Sequence, residues 1–164
     1  MAKSGKAPPE DIGASIGKEV GESIYKATRA KVEALWYASL DGDVGRVKEI
    51  LDEGNHDVNG LNRWQTDMDL NGWQRTPLHA AALQDRLKLA EFLISKGANV
   101  NALTKYKDSP LHFAVTQGDL KMVRLLVKSG ARTDIENDDG DTPVVIAEKR
   151  GDEEMVSELA RAGS

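Results

Sequence analysis

The sequence predicts an all-α helical repeat solenoid with projecting turns and an additional helix at the N-terminus. Three observations carry that expectation. Gly97, Gly130 and Gly163 stand 33 residues apart, and Ala81, Ala114 and Ala147 and then Leu93, Leu126 and Leu159 keep the same step. Thr76-Pro77, Ser109-Pro110 and Thr142-Pro143 repeat it again, and a hydroxyl residue before proline is a helix start. After each start comes a short apolar run, a break such as Gly118-Asp119, and a second apolar run such as Leu120 to Lys128. A period of this length with two helices per unit is the mark of stacked repeats.

Taken in chain order, residues 1–9 are polar, with a Pro8-Pro9 pair, and are expected to be a disordered tail. Residues 10–32 form the expected N-terminal helix, because Ile12, Ile16, Val20 and Ile24 recur every four positions. Gly13, Gly17 and Gly21 run beside that stripe, and each glycine costs a helix about 1 kcal/mol relative to alanine. Such a segment needs a surface to lie on. It covers the first repeat, or it associates through Ile12, Ile16, Gly17, Val20, Gly21 and Ile24 with a second copy or another protein, or it is a mobile tail.

The repeats are expected over 33–164, at about 33–59, 72–104, 105–137 and 138–164. The first copy is faint, carried by Ala38, Gly42-Asp43, Val47, Ile50-Leu51 and Gly54. It is offset from the second by 43 residues instead of 33, and the surplus falls in a loop over 60–71 that carries Leu61, Trp64, Met68 and Leu70. Loops that long are uncommon unless functional or disordered. Trp36, in the slot of His79, is expected in the core. Glu49 and Glu158 replace the apolar Phe92 and Leu125 in the end copies. A stack needs a polar face where stacking stops, so the array is expected to end with the chain.

Thr76-Pro77-Leu78-His79-Ala80-Ala81, Ser109-Pro110-Leu111-His112-Phe113-Ala114 and Gly97-Ala98-Asn99-Val100-Asn101 resemble the ankyrin repeat family. The resemblance covers roughly residues 33 to 163. The fourth copy is degenerate, with Val144-Val145-Ile146 in place of Leu-His and the residue after it. The resemblance implies that His79 and His112 tie neighbouring loops by hydrogen bonds. It also implies a concave surface made of turn tips and the exposed side of each first helix. It does not name a partner, because shared architecture does not fix function.

Composition removes several function classes. The formal net charge is −5, which argues against a nucleic-acid backbone as the main partner. Zero cysteines exclude disulfides, thiolate zinc sites and thiol catalysis. No apolar run is long enough to insert in a membrane. His56 has no companion at ligand spacing. The carboxylates Asp134, Glu136, Asp138, Asp139 and Asp141 do not fit a calcium loop, which wants glycine sixth and glutamate twelfth, where Asp139 and Val145 stand. No cofactor, metal or catalytic residue is expected.

What remains is recognition of a protein partner. Trp73 and Tyr106 align at projecting tips, where the fourth copy carries Asp139, so the fold does not demand an aromatic there. Leu40 and Leu83 end the first helices beside them. The expected partner surface is Leu40, Trp64, Trp73, Arg75, Leu83, Gln84, Tyr106, Asp108 and Gln117, with the degenerate fourth copy contributing less. The expected function is a non-catalytic adaptor, scaffold or competitive inhibitor. The alternative is a targeting or chaperone-like factor that binds an apolar client segment. The expected compartment is the cytoplasm, with an organelle reached by a removed targeting peptide as the alternative.

Overall fold

A computed structural model describes residues 34–53, 57–60 and 74–163. They hold eight helices: α1 over 34–41, α2 Val44–Asp52, α3 Pro77–Leu83, α4 Leu87–Ser95, α5 Pro110–Gln117, α6 Leu120–Lys128, α7 Pro143–Arg150 and α8 Glu153–Ala162. The expected tail and N-terminal helix (1–32), most of the long loop, and with them Trp64 and Trp73, lie outside the described residues. So do the candidate association residues Ile12, Ile16, Gly17, Val20, Gly21 and Ile24.

Thr76, Ser109 and Thr142 cap α3, α5 and α7 in extended conformation, each followed by proline in the first turn. Pairs α3–α4, α5–α6 and α7–α8 pack across short loops; α3, α5 and α7 touch in one row, and α2, α4, α6 and α8 in a second. Every loop between paired helices closes with the same bond. The amides of Asp43, Arg86, Asp119 and Asp152 donate to the carbonyls of Ala38, Ala81, Ala114 and Ala147 at 3.0, 2.8, 3.1 and 3.1 Å. The recurring alanine itself is buried in the core, where a larger side chain would overpack. On the opposite edge, Asn59 accepts from the Asn99 amide at 2.6 Å, and Asn101 donates to Gly130 and accepts from Arg132.

The core runs unbroken through the rows, from Leu35 and Val47 through Leu78, Leu93, Leu111 and Leu126 to Met155 and Leu159. Trp36 is buried, as its place in the repeat leads one to expect. In the end copies Glu158 meets Arg124 of the preceding copy at 3.0 Å, and Arg46 pairs with Glu49 at 3.1 Å.

The copies differ most at the loop before the second helix. Gly42, Gly118 and Gly151 take left-handed backbone there, with φ of 74°, 77° and 69°. The second copy has Asp85 at that place, with φ of 55°. The next residue is a capping aspartate in three copies, where Asp43, Asp119 and Asp152 accept amides of the following turn. In the second copy it is Arg86, which makes no side-chain cap. Arg86 instead donates to the Leu40 carbonyl of the first copy at 3.3 Å and lies over Gly42, where an added Cβ would meet its Cδ at 2.6 Å. Arg150 makes a similar reach two junctions later, between the third and fourth copies, donating to the Thr116 carbonyl across Gly118. Gly163 departs from its copies: Gly97 and Gly130 are left-handed, whereas Gly163 continues the helical conformation at φ of −87°.

Two stability measurements follow. Leu126 is fully buried at the middle of α6, so Leu126→Ala should lower the unfolding free energy in urea by about 2–5 kcal/mol. An unchanged denaturation midpoint would remove Leu126 from the core. Asp85→Gly should raise stability by about 1 kcal/mol, because it relieves left-handed backbone at a residue with a side chain. A loss of stability would mean that the Asp85 carboxylate holds the loop.

Candidate functional site

The site is built from the projecting turns inward. Thr104 and Asn137 occupy equivalent places before two successive tips, and each clasps its tip in the same way. Thr104 Oγ1 accepts the amides of Tyr106 and Asp108 at 3.3 and 3.1 Å. Asn137 Oδ1 accepts those of Asp139 and Asp141 at 3.1 and 3.0 Å. The tips are then joined, because the Asp138 amide donates to the Tyr106 carbonyl at 3.0 Å and Asn137 Nδ2 donates to Asp108 Oδ1 at 3.0 Å.

Two buried histidines anchor this layer to the helices. His79 Nδ1 accepts from the Thr76 amide at 3.0 Å and from the Thr76 hydroxyl at 2.8 Å. An amide can only donate, so Nδ1 carries no proton and Nε2 carries it. Nε2 then donates to the Asp108 carbonyl of the next copy at 3.2 Å. His112 repeats the arrangement with Ser109 and the Asp141 carbonyl at 3.1, 2.8 and 3.2 Å. Each ring is satisfied only when neutral. Burial holds the His79 pKa down at about 4, against the pull of the Asp108 carbonyl toward the charged form. Burial also lowers that of His112. The loop-tying role that the family resemblance implies for these residues is what the geometry shows.

Beneath the anchored tips runs a groove of about 440 Å³. Leu83, Phe113 and Ile146, one from each of α3, α5 and α7, form its apolar floor. Asp108, Asn137, Asp139 and Asp141 form one rim, and Thr116, Gln117, Lys149 and Arg150 the other. Lys149 contacts both carboxylate oxygens of Asp141, at 2.7 and 2.5 Å. The Arg75 guanidinium lies 5.0 Å from the centre of the Phe113 ring, and the His79 ring meets Phe113 edge-on at 5.7 Å.

Of the residues expected at a partner surface, Leu83, Asp108 and Gln117 come together in this groove. Arg75 is half-buried on the Phe113 ring. Tyr106 is half-buried on its tip and is not part of the groove lining; the Lys105 ammonium sits 6.0 Å from its ring centre. Gln84 is exposed at the end of α3, and Leu40 is half-buried, its carbonyl taken by Arg86. The fourth copy contributes more than its degenerate motif suggests, since Ile146, Asp139, Asp141, Lys149 and Arg150 all line the groove. Phe113 and Ile146 were hidden because the residue after Leu-His reads as core. The signal available was size: alanine stands there in the second copy, and large apolar groups in the third and fourth.

Among the described residues no helix is long and apolar enough to cross a membrane, and no group of three or more His, Cys, Asp or Glu is placed to hold a metal ion. Residues 78–127 match the family model for ankyrin repeats in many copies. A stretch of 68 residues, 42% of the chain, is 38% identical to alpha-latrocrustotoxin-Lt1a of Latrodectus tredecimguttatus. The match spans only 4% of that protein's length. Repeat stack, capping pattern and family model agree in marking residues 78–127 as ankyrin repeats. Ankyrin repeats generally mediate contacts between proteins and are typically non-catalytic.

The histidine geometry sets a pH dependence. In the unfolded chain His79 titrates near 6.5, and in the folded chain near 4. Between those values the unfolded chain binds a proton that the folded chain refuses, so stability is full above 6.5 and falls as the pH drops toward 4. The loss attributable to His79 is on the order of 3 kcal/mol. Urea unfolding across this window should show His79→Gln less stable at neutral pH, with a shallower decline on acidification. Parallel declines would place the pH dependence elsewhere.

Proposed function

We propose that this protein is a non-catalytic recognition module, an adaptor, scaffold or competitive inhibitor, that seats a protein partner on its concave face and turn tips. The groove over Leu83, Phe113 and Ile146 supports this most strongly. It is an apolar floor drawn from three successive copies, rimmed by polar groups whose backbone is fixed by hydrogen bonds. Rigid, preformed surfaces lose little entropy on binding, and this favours specific recognition. Tyr106 at its tip, Trp73 at the aligned tip position of the second copy, and Trp64 in the long loop extend the proposed surface, because aromatic residues are enriched among those that dominate binding. A targeting factor for apolar client segments would use the same floor, but the fixed polar rim favours a particular partner over a general apolar one.

The test is affinity purification from the native source with the wild-type chain and with Leu83→Glu/Ile146→Glu. Both positions are half-buried, so the variant should keep its helical spectrum. Proteins recovered by the wild type alone are the expected result. Identical recovery by both chains would move the partner surface off the groove.

A further inference from the structure

The groove's charges are unevenly satisfied. Its two cations are engaged within the chain: Lys149 with Asp141, and Arg150 with the Thr116 carbonyl at the C-terminal end of α5, where a positive charge is favoured. Asp141 is thereby neutralised. Asp108 and Asp139 are not. Asp108 receives only the neutral amide of Asn137 on its Oδ1, and among the described residues neither carboxylate is in an ion pair. The two rise from adjacent tips along the same rim, above an apolar floor. The chain also shows how this surface receives cations, with an ammonium on the Asp141 carboxylate and a guanidinium on the face of Phe113.

We propose that the groove takes a partner segment in which an arginine or lysine is flanked by apolar side chains. The cation lies between Asp108 and Asp139, and the apolar groups rest on Leu83, Phe113 and Ile146. This rests on the groove being the recognition surface, and it adds the chemistry of what is recognised. A cation over two carboxylates beside an apolar floor is held more strongly than the same pair in open water, because the floor excludes solvent on one side. An acidic segment would face uncompensated repulsion at the same rim, which makes the selection two-sided.

The experiment is selection of random linear peptides displayed on phage against the full chain, with Leu83→Glu/Ile146→Glu as the counter-target. The selected peptides are then titrated against the wild type and Asp108→Asn/Asp139→Asn. Asparagine keeps the shape at both sites, and the backbone carbonyl that His79 holds is untouched, so the double variant should melt as the wild type does. The expected result is enrichment of Arg or Lys beside apolar residues. Affinity should fall about tenfold in the asparagine variant, with a flatter dependence on salt. Enriched peptides that lack a basic residue, or equal affinity for both chains, would overturn the charge rule and leave the groove in place. Peptides that bind the counter-target equally well would overturn the groove itself.

Discussion

A neutral imidazole wedged between one copy's helix cap and the next copy's turn is the contact on which this stack depends. His79 and His112 each close the start of an inner helix through Nδ1 and reach 29 residues onward through Nε2, to the Asp108 and Asp141 carbonyls. The first bond is local and makes the helix begin at its proline. The second is long-range and sets how far the next copy can slide. Apolar packing between inner helices would tolerate small shifts, because dispersion contacts are individually weak and non-directional. A hydrogen bond from a fully buried donor does not tolerate them, since an unmet group there carries the full desolvation penalty. The spacing of the tips, and so the shape of the groove beneath them, follows from two rings.

The remaining inter-copy contacts work at the edges, where water competes. Asn59 and Asn101 join the outer turns, and Arg86 and Arg150 reach back to carbonyls of the preceding copy. These are exposed, so each contributes modestly, and the surface ion pairs of Arg124 with Glu154 and Glu158 contribute less still. Each copy thus touches only its neighbours, and the stack resists deformation chiefly through what is buried between them.

The period, the caps at Thr76, Ser109 and Thr142 and the left-handed Gly118 and Gly130 were all legible in the sequence, because each follows from a local rule that one copy can show alone. The second copy's loop was not. Asp85-Arg86 reads like a shifted version of Gly118-Asp119, and only the structure shows Asp85 in the glycine's conformation and Arg86 reaching across to Leu40. The groove was partly legible. Leu83, Asp108 and Gln117 are legible because their aligned positions face solvent in every copy of the repeat pattern. Phe113, Ile146 and Asn137 were missed because their half-exposure is created by stacking, which no single copy reveals.

The junction between the second and third copies departs furthest from those local rules. It has a left-handed aspartate, a second helix without a side-chain cap, and two carboxylates brought together. Asp119 Oδ1 accepts the Lys121 amide, while its Oδ2 is buried with no partner. Interaction with the neighbouring Asp119 carboxylate raises the Asp85 pKa above its ordinary value. Unfavourable features at one boundary persist only when neighbouring contacts over-determine the geometry. Here those contacts are the Leu78–Leu111 core and the His79 bond to Asp108, and both cross the same boundary. The groove crosses it as well, with Leu83 on one side and Asp108 and Phe113 on the other. A ligand bridging the two sides would therefore favour the aligned arrangement at the junction least supported by its own loop. On the proposed function, binding free energy and stack stability would be linked at that boundary.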